Sequence, residues 1–201
     1  MNNKFILASG SPRRQQLLKD AGLNFTIKVA DVDENGITAQ LLLRSEIEKI
    51  WIPEMLAKEK AIAAAAVFDA DSILISADTI VLINDKIIGK PIDEKDAILM
   101  LQELSNNKHT VITGVCIYDV LNKKPLSIFS EKTEVFFKRL TAEQIQFYIK
   151  NYEPFDKAGA YAIQEWIGLI GIEKINGCFY NVMGLPVSKL FSELQRLNLL
   201  H

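Results

Sequence analysis

Two stretches of this 201-residue chain carry side chains whose types and order suit phosphate chemistry. The first is Ser9-Gly10-Ser11-Pro12-Arg13-Arg14, small residues running into a proline that favours the first turn of a helix. Free N–H groups and the helix dipole at such a start favour an anion. The adjacent guanidinium groups add permanently charged forks matched to phosphate oxygens. The same string also reads as an ordinary helix start with solvated arginines, because the Gly-x-x-x-x-Gly-Lys spacing of a P-loop is absent. The second stretch centres on Asp78, set between Ile73-Leu74-Ile75-Ser76-Ala77 and Thr79-Ile80-Val81-Leu82-Ile83. A carboxylate at the end of a buried strand needs a partner or a metal, and strand ends are where α/β sheets bind ligands. The alternative is a turn capped by the Asp78 side chain with help from Thr79. Glu34 in an acidic loop, Lys60, Lys90 and Gln164 complete the polar candidates, and each of these on its own reads as solvated surface.

The elements that would position these groups follow from periodicity. Lys4 to Ser9 reads as a short buried strand, Pro12 to Ala21 as a helix stopped by Gly22, and Phe25 to Ala30 as a second strand. Asp31 to Gly36 reads as a loop, followed by helical pieces at Thr38 to Ile50 and Pro53 to Val67 that part near Trp51-Ile52-Pro53. Ser72 to Ile83 is a β-branched run interrupted at Ala77-Asp78-Thr79, and Asn84-Asp85 turns it toward Lys86 to Ile88. A helix from about Asp93 to Leu104 precedes long strands at Thr110 to Tyr118 and Leu126 to Leu140. Thr141-Ala142-Glu143-Gln144 has capping-box spacing. Asn176-Gly177 predicts a hairpin between Ile167 to Ile175 and Cys178 to Val182, and a helix from Pro186 to about Leu197 closes the chain. Intermixed strands and helices give an α/β or α+β architecture with a mixed sheet. With no repeats, low-complexity tracts or flexible linkers, residues 1–201 read as a single domain.

Composition sets the outer limits. Lys and Arg number 23 against 25 Asp and Glu, so nothing global draws the chain to nucleic acid or to an acidic membrane. Its 49% apolar and 24% charged residues are those of an ordinary globular protein. Cys116 and Cys178 stand far apart without a C-x-x-C pair, and His109 and His201 are the only histidines, so a Cys/His zinc site lacks ligands. His109, Phe136, Phe137, Phe147 and Tyr148 read as structural. Phe5-Ile6-Leu7-Ala8 is too short for a secretory signal, and no apolar run approaches the about 20 residues of a membrane span. A cytoplasmic protein is expected.

Taken in order, Leu7-Ala8-Ser9-Gly10-Ser11-Pro12-Arg13-Arg14, Glu59-Lys60-Ala61, Ala77-Asp78-Thr79-Ile80-Val81, Gly89-Lys90-Pro91, Thr113-Gly114-Val115, Asp156-Lys157-Ala158-Gly159-Ala160-Tyr161-Ala162-Ile163-Gln164 and Gly184-Leu185-Pro186 resemble the Maf family of nucleoside triphosphate pyrophosphatases over the whole chain. The resemblance implies a mixed, twisted α/β sheet in two lobes with a central cleft, like that of the inosine triphosphatases. It implies hydrolysis of a nucleoside triphosphate to the monophosphate and pyrophosphate with a divalent metal, Mg²⁺ or Mn²⁺. Arg13, Arg14, Lys60 and Lys90 would neutralise the phosphates, Ser9 and Ser11 would add donors, and Glu34 and Asp78 would offer hard oxygens to the metal. Asp78 matches the family's proton acceptor, as base or as metal ligand. Arg13, Thr79 and Gln164 are similar to the dTTP/UTP branch, and a glutamine amide complements O4 and N3–H of uracil or thymine. A homodimer is implied.

The chain departs from the family pattern in places. The segment between Glu34 and Lys60 is longer than usual, Glu165-Trp166 replaces an expected glycine, Gly177-Cys178 stands for a common Gly-Ser pair, and Ala162 replaces a frequent glycine. Two other functions fit the same motifs: a nucleotide-binding regulator of septum formation that does not turn substrate over, and a 7-methyl-GTP pyrophosphatase.

Overall fold

Apolar, β-branched runs build the centre of the structure. The computed structural model describes residues 4–30, 32–43, 48–68 and 71–200, and not the side chains of Glu34 and Asn35. Its strands are β1 (Phe5–Leu7), β2 (Phe25–Ile27), β3 (Ile73–Ile83), β4 (Lys86–Ile88), β5 (Lys108–Asp119), β6 (Lys124–Phe137) and β7 (Ile172–Asn176). They form one seven-stranded sheet in the order β2-β1-β3-β5-β6-β7, with β4 on β3. β1 is parallel to β2 and β3, whereas β4 on β3 and β7 on β6 are antiparallel. The helices are α1 (Pro12–Asp20), α2 (Glu34–Leu42), α3 (Ile52–Ala65), α4 (Glu94–Leu104), α5 (Ala142–Tyr152), α6 (Trp166–Gly171), α7 (Phe179–Met183) and α8 (Val187–Arg196). The expected mixed α/β sheet is therefore present.

The chain divides into two compact units, each discontinuous in sequence. The first comprises Met1–Asp78, Thr113–Glu131 and Gly184–His201; the second comprises Thr79–Ile112 and Lys132–Met183. A core of the first unit gathers Ile6, Ala8, Ala57, Ala61, Ala64, Leu74, Cys116, Tyr118 and Val120. The small side chains on one face of α3 let its backbone approach the strands. Gly114 of β5 does the same from the other side, since a Cβ there would lie 2.3 Å from the Pro53 carbonyl carbon and the Glu54 nitrogen. The core of the second unit includes Val81, Leu101, Leu104, Val111, Phe137, Tyr148, Tyr161 and Ile167.

Three expectations are corrected. β3 runs unbroken through Ala77-Asp78-Thr79, which puts Asp78 in mid-strand rather than at a strand end. Its edge changes partner instead of breaking: β1 takes Ile73 to Ile75 and β4 takes Val81 to Ile83. The acidic loop gives way to α2 at Glu34, because the Asp33 carboxylate accepts the Gly36 N–H at 2.9 Å and caps that helix. Asn176-Gly177 ends β7 and enters α7 rather than making a hairpin. There the Thr133 hydroxyl accepts the Cys178 N–H and donates to the Cys178 carbonyl, both at 3.0 Å, so side-chain bonds replace a strand ladder. The Asn84-Asp85 turn forms as expected, with both residues at positive φ. So does the capping box of α5, with Thr141 and Gln144 bonded reciprocally.

Candidate active site

In the first unit, two struts tie α3 to β3. Ser76 Oγ donates to the Ala57 carbonyl at 2.6 Å, and Lys60 Nζ donates to Asp78 Oδ1 at 2.6 Å. Residues 76 and 78 share one face of the strand, and 57 and 60 share one face of the helix one turn apart, so the periods of the two elements match. The Lys60 and Asp78 side chains are only 12% and 11% exposed. A pair so withdrawn from water is costly to leave half-made, and removing one partner from such a pair costs about 3–5 kcal/mol.

The turn from β1 into α1 lies against the same strand. Ser11 takes the extended conformation at the N-cap with Pro12 as the first helical residue, and its N–H donates to Ser9 Oγ at 3.3 Å. Arg14 reaches back from α1. Its Nη1 donates to Ser9 Oγ at 3.1 Å and to the Ala77 carbonyl at 2.8 Å, and its Nε donates to the Gly184 carbonyl at 2.8 Å. The guanidinium thus joins the serine turn, the residue before Asp78 and the start of Gly184-Leu185-Pro186. Arg13, one position earlier on α1, is half-buried. The structure therefore brings Ser9, Ser11, Arg14, Lys60 and Asp78 around one stretch of β3, with Arg13 on the adjoining helix. Glu34 is the first residue of α2 and its side chain lies outside the described residues.

Thr79, Lys90 and Gln164 belong to the second unit. Lys90 and Gln164 are exposed and Thr79 is half-buried. Lys90 follows Gly89, whose carbonyl accepts the Gly159 N–H at 2.9 Å, so the lysine's segment is held to the loop that carries Gln164. That loop turns sharply: Gly159 and Ala160 both have positive φ, and Ala160 is fully buried there. Tyr161 is fixed from the core by His109, whose Nε2 lies 2.7 Å from the phenol oxygen; this is the structural role expected of His109.

Sequence reasoning missed three contributors in this unit. Lys157 is 8% exposed, and its ammonium pairs with Asp156 at 2.8 Å and Glu165 at 3.5 Å. Buried Tyr148 donates to Glu165 Oε2 and accepts the Ala162 N–H at 3.1 Å. The only signals in sequence were a lysine inside an apolar motif and the departure at Glu165.

The metal expected from the sequence meets a sparse protein donor set. No group of three or more His, Cys, Asp or Glu side chains able to hold a metal stands among the described residues. Asp78 offers a carboxylate, which fits Mg²⁺: that ion binds through one or two carboxylates and completes its shell with water and substrate phosphates.

A family model described as Maf-like protein matches residues 4–197. A dTTP/UTP pyrophosphatase of Cytophaga hutchinsonii is 54% identical over 196 residues, covering 98% of this chain and 85% of that protein. A protein of the same name from Parabacteroides distasonis is 46% identical over 193 residues, covering 96% of this chain and 95% of its own length. Among solved structures, a HAM1 protein from Coxiella burnetii gives a TM-score of 0.42 at 17% identity over 69% of this chain and 74% of that one.

Proposed function

We propose that this chain, which belongs to the Maf family, hydrolyses dTTP and UTP to the monophosphate and pyrophosphate. The observation that carries the proposal is the withdrawn Lys60–Asp78 pair, set beside a serine turn and two arginines. An acid and a cation held together in this way are poised to be parted by a polyphosphate. Water adds to the α phosphorus, the bond from that phosphorus to the oxygen bridging to the β phosphorus breaks, and pyrophosphate leaves. Asp78 takes the proton of the attacking water. Lys60 turns its charge from Asp78 to the phosphates, and Lys90, Arg13 and the Ser9 and Ser11 groups share in neutralising them. Arg14 holds Ser9 and Ala77 in place while contributing its charge. Thr79 and Gln164 face the nucleoside, with the Gln164 amide reading O4 and N3–H of the pyrimidine. Glu34 and Asp78 would hold Mg²⁺ or Mn²⁺, which polarises a phosphoryl oxygen when bound.

The names of the relatives support the substrate. The proposal extends to the whole of 1–201 as one catalytic domain, working as a homodimer in the cytoplasm. No helix among the described residues is long and apolar enough to cross a membrane. The test is direct. With Mg²⁺ or Mn²⁺, phosphorus NMR should show pyrophosphate and no orthophosphate released from UTP and dTTP, in preference to CTP, GTP and 7-methyl-GTP. Asp78→Asn should lower kcat by about 10²–10⁴-fold, the span of general-base catalysis, with an unchanged circular dichroism spectrum. Tight UTP binding without product would overturn the proposal in favour of a regulator.

A further inference from the structure

Gln164 stands exposed between the buried Ile163 and the half-buried Glu165. An amide that reads a base must be placed to a fraction of an ångström, because misplacement by about 1 Å costs about 100-fold in rate, and a solvent-facing loop does not provide that placement by itself. Several bonds fix the backbone on both sides of it. The Glu165 N–H donates to the Ala162 carbonyl at 3.1 Å, closing a four-residue turn with Gln164 inside it. Gly168 allows close approach from the following helix, since a Cβ there would lie 1.7 Å from the Ile163 oxygen. The Tyr148 hydroxyl, at the fully buried face of α5, accepts the Ala162 N–H and donates to the Glu165 carboxylate, gripping both ends of that turn. Lys157 closes the set from the start of the same loop through Glu165 at 3.5 Å and Asp156 at 2.8 Å.

We propose that Tyr148, Glu165 and Lys157 form a positioning clamp that sets the pyrimidine preference of Gln164. None of the three need touch the substrate. A buried phenol and a buried ammonium that meet on one half-buried carboxylate define one loop geometry, whereas a partly made network would be worse than an apolar one. Glu165 is the residue at which this chain departs from the glycine expected after Gln164. A glycine there would offer neither the carboxylate for Tyr148 nor the countercharge for Lys157, both of which Glu165 supplies.

The inference rests on Gln164 as reader of the base, and the experiment separates the two. Values of kcat and KM for UTP and GTP are measured for Gln164→Ala, Tyr148→Phe, Glu165→Gln and the Tyr148→Phe/Gln164→Ala double variant. Tyr148→Phe and Glu165→Gln are expected to raise KM for UTP by about 10- to 100-fold, to leave kcat within about twofold, and to leave kcat/KM for GTP unchanged. The double variant is expected to be no worse than Gln164→Ala alone, the non-additivity of residues acting through one group. A merely structural role would instead lower kcat/KM for both nucleotides by the same factor, or move only the unfolding midpoint, and either result overturns the clamp. If Gln164→Ala collapses the UTP preference while Tyr148→Phe and Glu165→Gln retain it, the clamp alone falls. If Gln164→Ala leaves the preference intact, the base reading falls and the clamp with it. Should Tyr148→Phe fail to fold, Glu165→Gln and Lys157→Met carry the same comparison.

Discussion

Arg13 and Arg14 are neighbours with the same chemistry in sequence, yet the fold gives them different work. Arg14 bonds to the Ser9 hydroxyl and to the carbonyls of Ala77 and Gly184, which come from three separate segments. These bonds leave from two different nitrogens of a rigid planar guanidinium, Nε and Nη1, an arrangement that the single ammonium nitrogen of lysine does not reproduce. A charged donor to each partly buried acceptor is worth about 1.5–3 kcal/mol, less where water competes. Arg14→Lys is therefore expected to lower the urea unfolding free energy by about 2–3 kcal/mol and to weaken activity together with it. Arg13→Ala should raise KM for UTP by about tenfold, the loss of one charge-assisted phosphate contact. Equal destabilisation by both variants in urea titrations would show that the two arginines share one structural role.

At the scale of elements, the placement of Lys60 depends on how closely α3 lies against β3 and β5, and that distance is set by residues without chemistry. Ala57, Ala61 and Ala64 are fully buried on one side, and Gly114 admits the Pro53–Glu54 backbone on the other. Gly114→Ala places a methyl group 2.3 Å from that backbone, so helix or strand must move. Overpacking of this kind costs about 1–3 kcal/mol, and a displaced α3 carries Lys60 away from Asp78. The expected result is a lower thermal midpoint and a larger fall in kcat than in nucleotide affinity; unchanged kcat would show that α3 does not position the site. The same elements show what the sequence could disclose. Local signals were legible: the Thr141 capping box and the Asn84-Asp85 turn are each decided by residues within a few positions. Asp78 was legible as an acid in need of a partner, because a carboxylate in an apolar strand demands one, whereas Lys60 on its own read as solvated surface and is named as that partner only by the fold. The continuous β3 and the missing hairpin at Asn176-Gly177 were not, because they depend on distant partners such as β4 and the Thr133 hydroxyl. The Arg14 latch and the Tyr148–Glu165 bond were hidden for the same reason: backbone carbonyls and loop amides carry no mark in sequence of what will reach them.

For the molecule as a whole, near balance of charge gives the titratable groups that folding removes from water a large share in pH stability, among them His109 and the Tyr161 phenol in the second unit and Cys116 in the first. In the second unit His109 is 1% exposed and packs against Phe137 and Tyr161, and burial pushes its pKa from 6.5 down to about 4. In the first unit Cys116 is fully buried, and burial pushes its thiol from 9.0 up to about 12, against the opposing effects of Lys58 and Ser76. The signs follow from linkage. The unfolded chain takes up a proton at His109 below pH 6.5 that the folded chain refuses, so this stability is complete above 6.5 and is lost as pH falls through 4. The unfolded chain releases the Cys116 proton above pH 9 while the folded chain retains it, so that stability is complete below 9 and is lost toward 12. The sizes are about 3 kcal/mol for the histidine and on the order of 4 kcal/mol for the thiol if each limb were followed to its end. Urea unfolding from pH 4.5 to 10.5 should therefore give a plateau between about 6.5 and 9, falling on both sides. His109→Gln, which keeps a polar partner near Tyr161 but cannot titrate, should flatten the acid limb relative to the parent and leave the alkaline limb unchanged. Cys116→Ala should lower the whole curve by about 1 kcal/mol for lost packing and flatten only the alkaline limb. If both variants kept the parent's slope on both sides, the pH response would belong to the exposed carboxylates and lysines, and the buried groups of the two units would have no part in it.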